Sequence, residues 1–224
     1  MLKPLMNYIV TPVIMRIFSL LCRIEASEIS RLPATGPYIV ITNHVNFLEV
    51  PVFYIATRPR KLNALAKEET WRNPFLAILA NSWGAIPVKR GTADFTAMKA
   101  ADKVLREGGI LVIAPEGTRS GDGILAEGHP GSAFIAQRNQ VPVYPVAHLG
   151  GEHFYSRLKR LRRTPMQIKV GEPFLIPKPD RKVRIPIEDI SAQMMARLAR
   201  LLPESQRGIY AQAAEADTPL LTSL

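Results

Sequence analysis

The spacing of apolar positions changes several times along the chain, and each change marks an element. Tyr38-Ile39-Val40-Ile41 and Ile110-Leu111-Val112-Ile113-Ala114 are unbroken apolar runs rich in β-branched residues, as expected of strands buried on both faces. Leu62–Ala66, Ala85–Val88, Val141–Leu149 and Met166–Val170 read as further strands; Pro142 and Pro145 place the third of these at an edge or a bulge. Thr92–Arg106 follows the helical period and stops at Gly108-Gly109. Helices are also predicted over Pro51–Thr57, Trp71–Asn81, Ser132–Arg138 and Ile187–Leu201. Such alternation predicts an α/β layered domain with a largely parallel sheet.

The two ends break the pattern. Residues 1–24 are apolar, but Lys3, Asn7, Pro12 and Arg16 leave no clean run of about 18 residues to span a bilayer. The thin basic start and the lack of a small-x-small cleavage site argue against a signal peptide. A helix lying in the head-group layer fits this segment, and so does a helix packed on the domain's own core. Residues 203–224 read as a polar, Ala-rich tail. The expected organisation is therefore an N-terminal helix over 1–24, a domain over 25–202 and a tail over 203–224.

Composition narrows the partners. Apolar content of 47% against 21% charged residues describes a globular chain, which excludes disorder. The lone Cys22 excludes an internal disulfide, and no His-x-x-x-His pair occurs among His44, His129, His148 and His153, so no metal site is expected. The net charge of +10 calls for an anionic partner. Between His153 and Arg184, ten Lys and Arg face only Glu172 and Asp180. A solvated basic face is the plain reading, and an anionic lipid surface the favoured one given the apolar N-terminus. Nucleic acid is not expected, because aromatic residues are scarce there and no recognition motif accompanies them.

Candidate chemistry gathers where strands are predicted to end. In Asn43-His44-Val45-Asn46-Phe47-Leu48-Glu49, His44 follows a strand and Glu49 opens a helix, so a tight turn can return the carboxylate to the imidazole. One ring nitrogen would then be held and the other left free to take a proton from a substrate hydroxyl, while the helix dipole favours the ionised Glu49. On its own this pair is weak, since a chance His-x-x-x-x-Asp/Glu arises in roughly a third of such chains. Two further stretches place cations at strand ends: Gly84-Ala85-Ile86-Pro87-Val88-Lys89-Arg90 and Pro115-Glu116-Gly117-Thr118-Arg119-Ser120. Arg90 and Arg119 converging there would suit a phosphate, unless each pairs with a local acid such as Asp94, Glu116 or Asp122. Val141-Pro142-Val143-Tyr144-Pro145-Val146 has no catalytic group and serves as a core strand or a channel wall.

In this order the four stretches resemble the phospholipid/glycerol acyltransferase family, whose best-known members acylate 1-acyl-glycerol-3-phosphate. Asn43, His44 and Glu49 match its Asn-His-x-x-x-x-Asp motif with Glu in place of Asp; Gly84–Arg90, Pro115–Ser120 and Val141–Val146 match the other three. Ala66-Lys67-Glu68-Glu69 with Pro74 looks like the family's Ala-Lys-x-Glu-Leu…Pro segment, and the likeness covers about residues 35–175. Three positions depart from the pattern: Glu49, Asn46 for the usual Ser, and His129 where many members have Lys. The resemblance implies the family's layered α/β fold with a membrane-associating N-terminal helix. It also implies acyl transfer from acyl-CoA or acyl-carrier protein to a lysophospholipid hydroxyl, at a membrane's cytoplasmic face and with no tightly bound cofactor. His44 would be the general base and Glu49 its partner, without a covalent intermediate, for which no Gly-x-Ser-x-Gly elbow exists. Arg90 and Arg119 would hold the acceptor phosphate in a pocket shaped by Glu116, Gly117 and Thr118, with Lys67 or backbone N–H groups facing the oxyanion. The rivals are a phosphate-free acceptor such as a glycolipid, and a catalytically degenerate lipid-binding adaptor. A nucleotide-binding enzyme is a poor third, since Gly121-Asp122-Gly123-Ile124-Leu125-Ala126 follows no strand.

Overall fold

The computed structural model describes residues 6–89, 91, 94–178 and 185–224. Among these residues nine strands form one sheet: β1 Cys22–Glu25, β2 Tyr38–Thr42, β3 Leu62–Lys67, β4 Ile86–Val88, β5 Ile110–Ile113, β6 Val143–Leu149, β7 Thr164–Val170, β8 Phe174–Leu175 and β9 Thr222–Ser223. The order is β1-β7-β6-β2-β5-β3-β4, with β8 and β9 continuing off β6. Strands β2, β3, β4, β5 and β6 run parallel to their neighbours within this set, and antiparallel pairing is confined to β6–β7, β6–β8 and β8–β9. The carboxyl ends of β2 to β6 therefore share one edge, the place where open α/β sheets gather their chemistry.

Eight α-helices accompany the strands among the described residues: α1 Thr11–Leu21, α2 Glu49–Ala56, α3 Pro74–Ser82, α4 Phe95–Arg106, α5 Gly131–Asn139, α6 Phe154–Lys159, α7 Ile187–Ala199 and α8 Ala211–Glu215. The two-residue period of the buried strands divides the core in two. Ile39, Ile41, Leu111 and Ile113 face the layer of α4, α5 and α7, while Tyr38, Val40, Ile110 and Val112 face α2 and the inner side of α1. Each fully buried side chain of this size contributes about 1.5–3 kcal/mol of transfer free energy.

Local chemistry sets the helix starts. α4 begins at Phe95 because Asp94 caps it, its Oδ1 accepting from the N–H groups of Thr96 and Ala97 at 3.0 Å each. α3 begins at Pro74 instead of Trp71, since Asn73 Oδ1 accepts from Leu76 N–H at 3.1 Å and Pro74 needs no donor partner. Three expectations need correction. Pro145 stands in an interior strand, between β2 and β7, and its carbonyl accepts from Gly171 N–H at 2.8 Å beside the break between β7 and β8. The helix within 1–24 ends at Leu21, and Cys22–Glu25 pairs in parallel with β7, leaving Cys22 in the core.

The third correction concerns residues 203–224, read as a tail. Leu125 N–H donates to Gln206 O at 2.8 Å, Gly128 N–H donates to Tyr210 Oη at 3.0 Å, and β9 pairs with β8. Tyr210, Ala214 and Leu221 are buried in the larger core.

No described helix is long and apolar enough to cross a membrane. α1 is two-sided: Phe18 and Leu21 pack on the core, Thr11 Oγ1 accepts from Trp83 Nε1 at 3.2 Å, and Val13, Ile17 and Leu20 are exposed.

Candidate active site

The turn after β2 is built from buried polar bonds. Asn43 clasps the backbone of His148 on β6, its Nδ2 donating to His148 O at 2.9 Å and its Oδ1 accepting from His148 N–H at 2.8 Å. Asn46 Oδ1 accepts from Leu48 N–H at 2.8 Å, closing an Asx turn that leads into α2. The turn brings Glu49 back beneath His44. Glu49 Oε2 lies 3.3 Å from His44 Nδ1 and accepts from Asn46 N–H at 2.8 Å. Glu49 is 3% exposed and sits at the first position of α2. The turn thus brings the Glu49 carboxylate to the Nδ1 side of the His44 ring.

The Pro115–Ser120 loop after β5 is bonded directly to this turn. Ser120 N–H donates to His44 O and Gly121 N–H to Val45 O, both at 2.9 Å. Glu116 is buried, with Oε1 accepting from His44 N–H at 2.8 Å and Oε2 from Ala126 N–H at 2.9 Å. Burial raises its pKa, against the opposing pull of those two donors. Both oxygens are thus engaged by main chain, Oε1 by the N–H of His44 itself, and Glu116 forms no ion pair with Arg119 among the described residues. Gly117 has φ +63°, and a Cβ there would lie 2.9 Å from His129 Cδ2, so its place in the motif is conformational.

Thr118 and Arg119 are exposed at the loop's crest, two residues and one residue from the bond that joins Ser120 to His44. Arg119 makes no ion pair among the described residues. Asp94 and Asp122 are occupied with backbone donors, Asp94 Oδ2 with Lys89 N–H at 2.9 Å and Asp122 Oδ1 with Ile124 N–H at 3.0 Å. The Lys89 N–H bond, with those of the α4 cap, lowers the Asp94 pKa. Arg90 lies outside the described residues, as do Arg181, Lys182 and Arg184 of the basic stretch. Lys67 is exposed at the end of β3, which β5 separates from β2. In the Val141–Val146 segment, Val141, Val143 and Val146 are buried, the last two on β6.

Two residues near the dyad escaped the sequence reading. His148 is 2% exposed, its Nδ1 has no partner, and burial together with the His44 charge pushes its pKa down to about 3. Gly151 lies against Glu49, and its carbonyl accepts from Asn46 Nδ2 at 2.7 Å. The departure at Asn46 was a signal for the second; a lone buried histidine gave none for the first. Among the described residues no group of three or more His, Cys, Asp or Glu could hold a metal ion.

Comparison with known proteins places the chain among acyltransferases. The 1-acyl-sn-glycerol-3-phosphate acyltransferase of Bacillus subtilis (strain 168) is 26% identical over 157 residues, covering 70% of this chain and 76% of the relative. The Cocos nucifera enzyme of the same name is 28% identical over 197 residues, covering 86% of this chain and 61% of the relative. For the mouse 1-acyl-sn-glycerol-3-phosphate acyltransferase alpha the values are 26% over 151 residues, and the match spans about half of that protein, 53%. The crystal structure of the 1-acyl-sn-glycerophosphate (LPA) acyltransferase PlsC from Thermotoga maritima superposes with a TM-score of 0.61 at 23% identity, covering 91% of this chain and 78% of that one, which speaks to the fold. A family model described as Acyltransferase matches residues 23–149, which hold the dyad turn, the Gly84–Arg90 strand end and the Pro115–Ser120 loop. With more than half of its length inside that match, the chain belongs to the acyltransferase family of enzymes.

Proposed function

We propose that this protein transfers a fatty acyl group from an acyl thioester to the free hydroxyl of a lysophospholipid, with 1-acyl-glycerol-3-phosphate as the first candidate acceptor. The observation that carries the proposal is the His44–Glu49 pair, 3.3 Å apart with Glu49 buried and His44 partly so, and with the Arg119 loop bonded to the backbone of His44 itself. Glu49 accepts a hydrogen bond from Nδ1–H and fixes the ring, so Nε2 takes the proton of the acceptor hydroxyl as the hydroxyl oxygen attacks the thioester carbonyl. Collapse of the tetrahedral intermediate breaks the carbon–sulfur bond, and His44 returns its proton to the departing thiolate. The chain needs no acyl-enzyme for this. Arg119 at the crest, and Arg90 beyond the end of β4, supply guanidinium groups for the acceptor phosphate. Lys67 and backbone N–H groups at the sheet edge are the donors offered to the oxyanion. Acyl-CoA and acyl-carrier protein both fit the basic surface as donors.

Peripheral association with an anionic membrane belongs to the same reading. Tyr8, Ile9, Val13, Ile17 and Leu20 are exposed on or just before α1. Leu161 is 94% exposed between Arg160 and Arg162. Arg163 joins the two regions, its Nη2 donating to Ser19 O at 2.7 Å and Cys22 O at 2.8 Å. Phe47 of the dyad turn reaches the same region, with ring centroids 6.4 Å from Phe18 and 5.7 Å from Phe154. An acceptor lipid would thus meet the dyad from the membrane side. The test is thioester release with long-chain acyl-CoA against a panel of lysophosphatidic acid, other lysophospholipids and glycolipids, with mass analysis of the product. Acylated lysophosphatidic acid is expected; acylation of glycolipids alone would replace the acceptor, and no turnover on any member would leave a lipid-binding adaptor.

A further inference from the structure

We propose that Gly151 is a positioning residue for the dyad, matched to the glutamate at position 49. The inference rests on the reading that Glu49 orients His44. Glutamate is one methylene longer than aspartate, and the turn must find room for it. That room lies where position 151 would carry a side chain: a Cβ on Gly151 would stand 2.6 Å from Glu49 Oε1, closer than atoms can approach. The distance between the two segments is not free to adjust. Asn46 holds Gly151 O through Nδ2 at 2.7 Å while its own Oδ1 is engaged by Leu48 N–H at 2.8 Å, and a Cβ at 151 would come within 3.4 Å of the same Nδ2. Serine at 46, shorter by the amide group, could not make that span, so two departures from the family pattern, Asn46 and Glu49, meet at one glycine.

The carboxylate is asymmetric as a result. Oε2 has its two partners, His44 Nδ1 and Asn46 N–H, whereas Oε1 is buried with no hydrogen bond. No hydrogen bond holds Oε1 in place; the contact with Gly151 bounds it on one side, and through it the angle at which Oε2 meets the imidazole. The backbone does not itself require glycine here, since Gly151 has no positive φ. Alanine would fit the main chain and act by turning the carboxylate, the far end of a flexible side chain. The expected consequence is a misdirected base in a folded protein.

The experiment is a double-mutant cycle: wild type, Gly151→Ala, Glu49→Asp and the double variant, with Glu49→Ala as the reference for the dyad. Each is assayed for kcat and acceptor KM with lysophosphatidic acid and a long-chain acyl-CoA, and for Tm. Gly151→Ala is expected to lower kcat roughly tenfold with acceptor KM and Tm little changed, a coupling of ordinary size for residues in contact. In the Glu49→Asp background the same substitution should cost less than roughly threefold, because the shorter carboxylate vacates the space. An equal loss in both backgrounds, a loss that follows a fall in Tm, or wild-type kcat in Gly151→Ala would each overturn the matching of 151 to 49. If Glu49→Ala keeps wild-type activity, the dyad falls and this inference with it, which separates the two failures.

Discussion

Replacing His148 by phenylalanine should make the protein less sensitive to acid. The imidazole is buried edge-on against Phe53, with centroids 5.3 Å apart at 86°, and burial pushes its pKa from 6.5 to about 3. The unfolded chain keeps the ordinary value, so between these limits the unfolded state binds a proton that the folded state refuses. The stability tied to His148 is whole above pH 6.5 and drains away as pH falls toward 3. One pH unit in that window is worth about 1.4 kcal/mol, so acidification from about pH 7.5 to about pH 5 removes about 2 kcal/mol through this group. That is a large share of a typical total of about 5–15 kcal/mol. Phenylalanine keeps a ring of similar shape beside Phe53 and leaves the backbone bonds to Asn43 in place, but it does not titrate. Urea unfolding of both proteins at the two pH values measures the effect, and carboxylates common to both cancel in the difference. The gap between variant and wild type should move by about 2 kcal/mol in favour of the variant on acidification. A gap that stays constant with pH would refute the claim that His148 is held neutral.

Other outcomes follow from the same geometry. Glu116→Gln turns one of two buried acceptors into a donor facing a backbone N–H and should destabilise by about 1–3 kcal/mol while lowering kcat, measured by denaturation and turnover. The raised Glu116 pKa means that its contribution is fullest below the ordinary carboxylate value and is lost as pH rises through the raised one, so the wild-type margin over Gln should narrow toward neutrality. Arg119→Ala should cut acceptor kcat/KM roughly ten- to a hundredfold through KM with thioester KM unchanged, and Arg119→Lys should restore only part. Leu20→Asp and Leu161→Asp should each weaken binding to anionic vesicles, measured by co-sedimentation across a salt series, with turnover of detergent-dispersed substrate retained; binding that ignores both would remove α1 and the basic loop from the membrane face.

The sequence carried those parts of the fold that depend on local pattern. The runs at Tyr38–Ile41 and Ile110–Ala114 are the buried central strands because an apolar residue at every position suits a strand covered on both faces. Features set by distant contacts were not legible. Pro145 sits inside the sheet beside a break in the neighbouring chain at Gly171, and Cys22–Glu25 is a strand only because β7, some 140 residues later, offers it an edge. In the site, the His44–Glu49 pair spans five residues and could be read directly. The roles of Glu116 and Gly151 could not, since they bond to main chain and side chains 72 and 105 residues away. A truncation at residue 24, natural from the sequence, would strip most of β1, which is why single substitutions on α1 make the better test.

The central claim is that His44 is the base for acyl transfer to a lysophospholipid hydroxyl. Its most direct test is the turnover of His44→Ala with lysophosphatidic acid and long-chain acyl-CoA, followed by mass analysis of the acylated product and by Tm to establish the fold. A general base contributes ~10²–10⁴ in rate, so the variant should lose at least a hundredfold in kcat with an unchanged Tm. A folded His44→Ala protein that keeps more than about a tenth of wild-type turnover would contradict the account.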